Sequence, residues 1–183
     1  LSVRYSTYGD NRFMLIDPDT GEASQLLAHS NSARCVTTTG DGKLLIMVSD
    51  GSGAMNGIVY NMHIFSPARS DIYCYDSKSG ELLWQSEISS CIFTKCSTMA
   101  PIGDGSRILC QTGNTFSLLS SATGEILTQC QADSGVLDLD IQEEQAFALL
   151  QNGATCMYTY STNTCSTLKY MEGDLIRAQI SNG

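Results

Sequence analysis

Two histidines, eight cysteines and two closely spaced aspartate pairs are the residues of this chain whose types could do chemistry. His63 is the sole plausible imidazole base, because His29 falls at the end of an expected strand. A hydrolase or lyase site would have to bring Arg, Tyr or carboxylates from several elements to that imidazole. No spacing here does so, and a lone His reads as structural or exposed. The cysteines contain no Cys-x-x-Cys pair and complete no zinc pattern with the two histidines. Cys74, Cys110 and Cys130 lie inside apolar strand patterns, where Cys acts as a small buried hydrophobe. All eight are therefore expected as free thiols, which implies a reducing, cytoplasmic compartment. Cys91 and Cys96, together in one expected loop, are the pair to test for a bridge. The aspartates Asp17/Asp19 and Asp138/Asp140 suggest calcium. Neither pair continues into an Asp-x-Asn-x-Asp-Gly loop with a later Glu, so both read as solvated turn carboxylates. No catalytic residue, metal or cofactor is assigned.

The elements that would have to position such residues are constrained by composition. Hydrophobic residues make up 42% of the 183 and charged residues 16%, a balance that a disordered chain would reverse. The net charge is −9, and the ten Lys and Arg are scattered singly, so a nucleic-acid partner is not expected. The longest apolar run, Leu44 to Val48, is a single strand and far from the roughly 18 residues of a membrane span. The chain starts at Leu1 without a charged-then-apolar leader and is expected to be a fragment or processed form, from which a signal or anchor could have been removed.

Self-similarity carries the fold assignment. FMLIDPDTGEASQLL from Phe13, IYCYDSKSGELLWQS from Ile72 and FSLLSSATGEILTQC from Phe116 each read as strand, tight turn and strand. A degenerate copy starts at Thr155, with Asn163 at the position where the turn needs a positive φ. A second hairpin pattern lies between them, joined by Gly-Asp-Gly in the segments from Cys35 and Ser97 and by Gln142-Glu143-Glu144 in the segment from Val136. Gly80 and Gly124 stand 44 residues apart, and Cys165, taken as the matching position, lies 41 beyond Gly124. Gly21 to Gly80 is 59, and the excess maps to an insertion at residues 49–70. A unit of about 40 to 45 residues with four strands is the β-propeller period. The expected fold class is all-β, a propeller of four-stranded antiparallel blades, about four in this chain. Expected strands are 2–8, 11–17 and 22–28; then 33–39, 43–49, 71–76 and 81–88; then 96–102, 106–112, 115–120 and 125–131; then 135–141, 145–151, 154–160 and 165–171; with a last strand at 174–181. Residues 1–183 form a single propeller domain or half of one, and helix should be almost absent.

Tyr73-Cys74-Tyr75-Asp76-Ser77-Lys78-Ser79-Gly80-Glu81-Leu82-Leu83-Trp84 resembles the repeat of quinoprotein-type propellers, in which a strand ending in Asp is followed by a Ser-Gly or Thr-Gly turn and a Trp four residues later. Other copies keep the turn and replace the Trp, with Thr128 at its position in the third. WD-repeat proteins share the architecture, but their Gly-His and Trp-Asp signatures are absent. The resemblance implies that Trp84 packs between neighbouring blades. Quinone chemistry is not implied, because the adjacent cysteines and rim carboxylates of those enzymes have no match here.

The functional expectation is a noncatalytic module for protein–protein interaction or sensing within a larger polypeptide. The alternative is an enzyme or small-ligand receptor with its site in the central channel. Insertions in repeats project from one face and often form the recognition surface. Asn56, His63, Phe65 and Arg69 of the insertion are therefore the candidate partner-binding residues. Ring closure is left open between pairing within one chain, a homodimer completing an eight-bladed ring, and a missing half supplied from elsewhere. In the first two cases strand 174–181 would pair beside strand 2–8.

Overall fold

The computed structural model describes residues 2–7, 10–16, 19–29, 33–49, 68–90 and 97–170. They form fifteen strands, and no helix occurs among them. The first sheet holds β1 (Ser2–Thr7), β2 (Asp10–Ile16) and β3 (Ala23–His29) in that order. The second holds β4 (Ala33–Thr38), β5 (Lys43–Ser49), β6 (Ala68–Asp76) and β7 (Leu82–Ser90). The third holds β8 (Ser97–Ile102), β9 (Arg107–Thr112), β10 (Thr115–Ser120) and β11 (Ile126–Gln131). The fourth holds β12 (Val136–Ile141), β13 (Gln145–Leu150), β14 (Ala154–Thr159) and β15 (Thr164–Tyr170). Every sheet is an antiparallel meander in which each strand pairs with its neighbour in sequence. The alternating apolar pattern thus produces all-β structure with the expected strand order.

Two differences from the expected boundaries have a physical reason. β6 starts at Ala68 rather than 71, and β7 runs on to Ser90 rather than 88, because Ala68 to Ser70 find ladder partners in Ser90, Ser89 and Ile88. Ser49 pairs with Ser70, so both ends of the proposed insertion belong to the second sheet, and what lies between is residues 50–67. Asn56, His63 and Phe65 fall there, outside the described residues, as do Cys91, Cys96 and the expected strand 174–181. The turn equivalent to Gly80 and Gly124 in the last repeat is Asn163 at φ 51, not Cys165, which makes that spacing 39 rather than 41.

The sheets pack face to face. β4 lies against β8, β7 against β9 and β10, and β11 against β15. Because side chains alternate across a strand, the third sheet feeds both of its neighbours. Ile108 and Cys110 of β9 join Leu45, Met47, Ile72 and Trp84 of the second sheet. Leu109 of β9, with Phe116 and Leu118 of β10, joins Ala148, Leu150, Cys156 and Tyr158 of the fourth. Central strands are consequently buried on both faces, while β11 alternates half-buried with exposed residues. Each hairpin between the last two strands of a sheet carries a bulge, at Phe13/Met14, Cys74/Tyr75, Leu118/Leu119 and Thr155/Cys156, which adds local twist.

Candidate functional site

The two ends of the stacked sheets are built differently. At one end the turn after the first strand is tied to the turn after the third by a backbone bond. Ser77 N–H donates to Gly42 C=O at 3.0 Å, Ser121 N–H to Ser106 C=O at 2.9 Å, and Tyr160 N–H to Glu144 C=O at 3.2 Å. Short polar side chains cap these turns, as the Asp and Ser-Gly pattern requires. Asp76 Oδ1 accepts from Lys78 N–H, Ser79 N–H and the Ser79 hydroxyl at 2.9, 2.7 and 3.0 Å. Thr20, Ser79 and Thr123 each accept from the N–H of the glutamate two residues on, at 3.2 to 3.3 Å. The bonds to Ser79, then Lys78, hold the Asp76 carboxyl below the usual range. Lys43 and then Thr39 do the same for Asp41, and the hydroxyl and N–H of Ser106 for Asp104. Asp19 is an exposed turn residue, and Asp140 accepts from Gln142 Nε2 at 3.2 Å. No cluster of three or more His, Cys, Asp or Glu arranged to hold a metal occurs among the described residues.

The opposite end is a buried polar platform. The tip of the β9–β10 hairpin, Gln111 to Thr115, is fully buried although Gly113-Asn114 reads as an ordinary exposed turn. The connection from β11 to β12 covers it: Ala132 N–H donates to Asn114 C=O and Val136 N–H to Gly113 C=O, both at 2.9 Å. Gln111 Nε2 donates to Gly113 C=O, and Asn114 Nδ2 to Ala132 C=O, again at 2.9 Å. Gln151 N–H extends the network into the fourth sheet through Gly135 C=O at 2.8 Å. On the other side the Ser70 and Thr112 hydroxyls lie 3.3 Å apart. Ser70, which pairs with Ser49, is the second-sheet residue that lies beside this hairpin. Of the four candidate partner residues, only Arg69 has a described position. It sits in β6 opposite Ser89, next to Ser70.

The interface between the second and third sheets explains the single Trp. Trp84 is buried and donates from Nε1 to Ser121 C=O at 3.1 Å. Its ring covers Gly124, where a Cβ would come within 2.4 Å of the indole. At the next interface Thr128 occupies the Trp position, and Asn163 takes the place of the glycine. Asn163 Oδ1 accepts from the Tyr158 hydroxyl at 2.9 Å, and its Nδ2 donates to Gln129 C=O at 3.0 Å.

The six described cysteines are free. Burial pushes the Cys74 thiol up to about 11, and it raises Cys35 and Cys110 as well. These three are core groups of the second and third sheets. Three others gather between the third and fourth sheets. Cys156 and Cys165 have sulfurs 3.0 Å apart, and Cys130 lies beside Cys165. The sequence reading missed this group. Once the last turn is centred on Asn163, Tyr158 must face Cys165, and Cys156 two residues earlier shares that face.

Fold and geometry together define an all-β stack of repeated meander sheets. No protein-family model and no curated protein matches the chain. Among solved structures it is similar to the computationally designed Ika4 protein, with a TM-score of 0.53 at 13% identity over 84% of this chain and 82% of that one. At that identity the likeness speaks of fold alone.

Proposed function

We propose that this chain is a noncatalytic β-propeller module that presents loops from its buried polar end to a protein partner. One observation carries the reading: Ser70, which pairs with Ser49 immediately before residues 50–67, lies beside the β9–β10 hairpin, whose tip is locked by backbone and amide bonds. A rigid rim supporting a long insertion is the arrangement by which repeat folds display recognition loops. Of the first strands of the sheets, which would line a central channel, β8 carries no imidazole, guanidinium or carboxylate, whereas β1 and β4 each carry an Arg and β12 carries two Asp. The rival reading, a channel ligand site, draws on Asp138 and Asp140, adjacent on one side of β12.

The test replaces residues 50–67 with a short Gly-containing turn and places a photo-crosslinking residue at position 63 or 65 of the intact chain. A discrete crosslinked protein, whose affinity falls at least tenfold on excision while the melting temperature holds, is the expected result. Collapse of the fold on excision sinks the reading. An affinity lost through Asp138→Asn with Asp140→Asn, and unchanged by excision, shifts it to the channel.

Closure of the ring belongs to the same proposal. The β2–β3 hairpin has the bulge of the outer hairpin of every other sheet and the hydroxyl-to-Glu turn bond of the second and third, so a fourth strand would join beside β1. Segment 174–181 is the candidate, from the same chain or from a second copy.

A further inference from the structure

We propose that Cys156 and Cys165 form a modification site, an oxidisable thiol pair that closes into a disulfide across the β14–β15 hairpin. Their sulfurs are 3.0 Å apart, closer than unbonded sulfurs normally rest. A bond requires an approach of about 1 Å more, to roughly 2.05 Å, together with some shear of the strands, because diagonal neighbours start about 7–8 Å apart and a disulfide spans up to about 7 Å between Cα atoms. The ladder sets this distance. Tyr158 faces Cys165 and Cys156 faces Thr167, which makes the cysteines diagonal neighbours on one face, and the bulge between Thr155 and Cys156 lies next to them.

Their surroundings differ, and the difference orders the chemistry. Cys156 is 1% exposed, whereas Cys165 is half-buried and is the sulfur a small oxidant can meet. With hydrogen peroxide, the Cys165 sulfur attacks one oxygen, the O–O bond breaks, and one water leaves with a sulfenic acid on Cys165. The Cys156 sulfur then attacks that sulfur. The S–S bond forms, the S–O bond breaks, and the departing hydroxide takes the Cys156 proton as a second water. Two thiols and one peroxide give one disulfide and two waters. The hydrogen bond to Cys156, and then burial, keep the Cys165 thiol protonated, so the reaction is slow compared with that of a sensor thiolate. Cys130 of the third sheet is the competing partner for Cys165. Its thiol hydrogen-bonds to Cys165 as well as to the carbonyl of Gln131, its own chain neighbour, at 3.9 Å, but no ladder pairs the two cysteines.

The experiment treats the folded chain with excess peroxide, confirms retained β structure by circular dichroism, and alkylates the remaining thiols at acid pH. Chymotryptic cleavage at Tyr158 or Tyr160 separates the two cysteines for mapping by mass spectrometry. The expected product is a peptide pair joined through Cys156 and Cys165, with Cys74 and Cys110 recovered alkylated. Cys130→Ser should give the same bridge in full yield, and Cys156→Ser should leave a sulfenic acid on Cys165 that dimedone traps. A bridge from Cys165 to Cys130, a bridge abolished by Cys130→Ser, or Cys165 over-oxidised beside an alkylated Cys156 overturns the proposal.

Discussion

Gly124 answers two demands that its sequence neighbours reveal only in part. Its φ of 73° is one that L side chains rarely adopt, and the Trp84 ring occupies the space a Cβ would need. Gly21 shares the first demand, at φ 72°, but meets nothing within 4 Å. Gly21→Ala should therefore cost about 1 kcal/mol, the strain of the turn alone. Gly124→Ala should cost about 3 kcal/mol, because the indole must also be displaced. In a Trp84→Leu background the Gly124→Ala cost should fall towards that of Gly21→Ala, which urea unfolding of the four variants measures directly. Cys74 and Tyr75 give a second expectation, for alkaline pH. Burial raises their folded-state values from 9.0 to about 11 and from 10.0 to about 12. The folded state thus holds these protons more tightly. Stability is fully present below pH 9 and is lost as the pH rises through 11 to 12. The Cys74 part amounts to roughly 2–3 kcal/mol, and Cys74→Ala should flatten the decline of melting temperature between pH 9 and 11.

Individual strands of the third sheet differ according to what lies on each side of them. Leu109 of β9 is fully buried against the fourth sheet, and Leu127 of β11 is 48% exposed. Leu109→Ala should cost about 3 kcal/mol and Leu127→Ala less than about 0.5 kcal/mol, read from the midpoints of chemical denaturation. The first of these strands was legible in the sequence. Ile108-Leu109-Cys110 of β9 and Leu118-Leu119 of β10 are apolar in succession because two sheets cover them, and the Gly-Asp-Gly turn before β9 and the Thr-Gly turn after β10 fix their outer ends to within a residue or two. What could not be read was tertiary in origin. The early start of β6 depends on pairing with β7, and the buried Gln111 to Thr115 tip depends on a connection some twenty residues later folding over it. Cys156 and Cys165 were legible in principle. Their proximity follows from hairpin parity, but only with Asn163, rather than Cys165, placed at the turn. The candidate recognition residues rested on the length of an insertion, a signal that locates a segment without arranging its side chains.

For the molecule as a whole, each described core cluster joins two successive sheets and no cluster spans three. Stability should then behave as a sum of sheets and nearest-neighbour interfaces. Closure beside β1 would convert the stack to a ring, and light scattering separates the possibilities. A particle of twice 19.7 kDa is the expected dimer of an eight-sheet ring, a 19.7 kDa particle with protected β1 amides is a ring closed in one chain, and a 19.7 kDa particle with freely exchanging β1 amides refutes closure. The matched pairs at successive interfaces also carry information about sequence order. Trp84 fits only over a turn that lacks a side chain, while Thr128 leaves room for Asn163 and the Tyr158 hydroxyl that binds it. A chain with its third and fourth sheets exchanged would press the indole onto Asn163. The interfaces therefore act as addresses, distinguishing sheets of one shared meander pattern from one another by the pair of residues each must match.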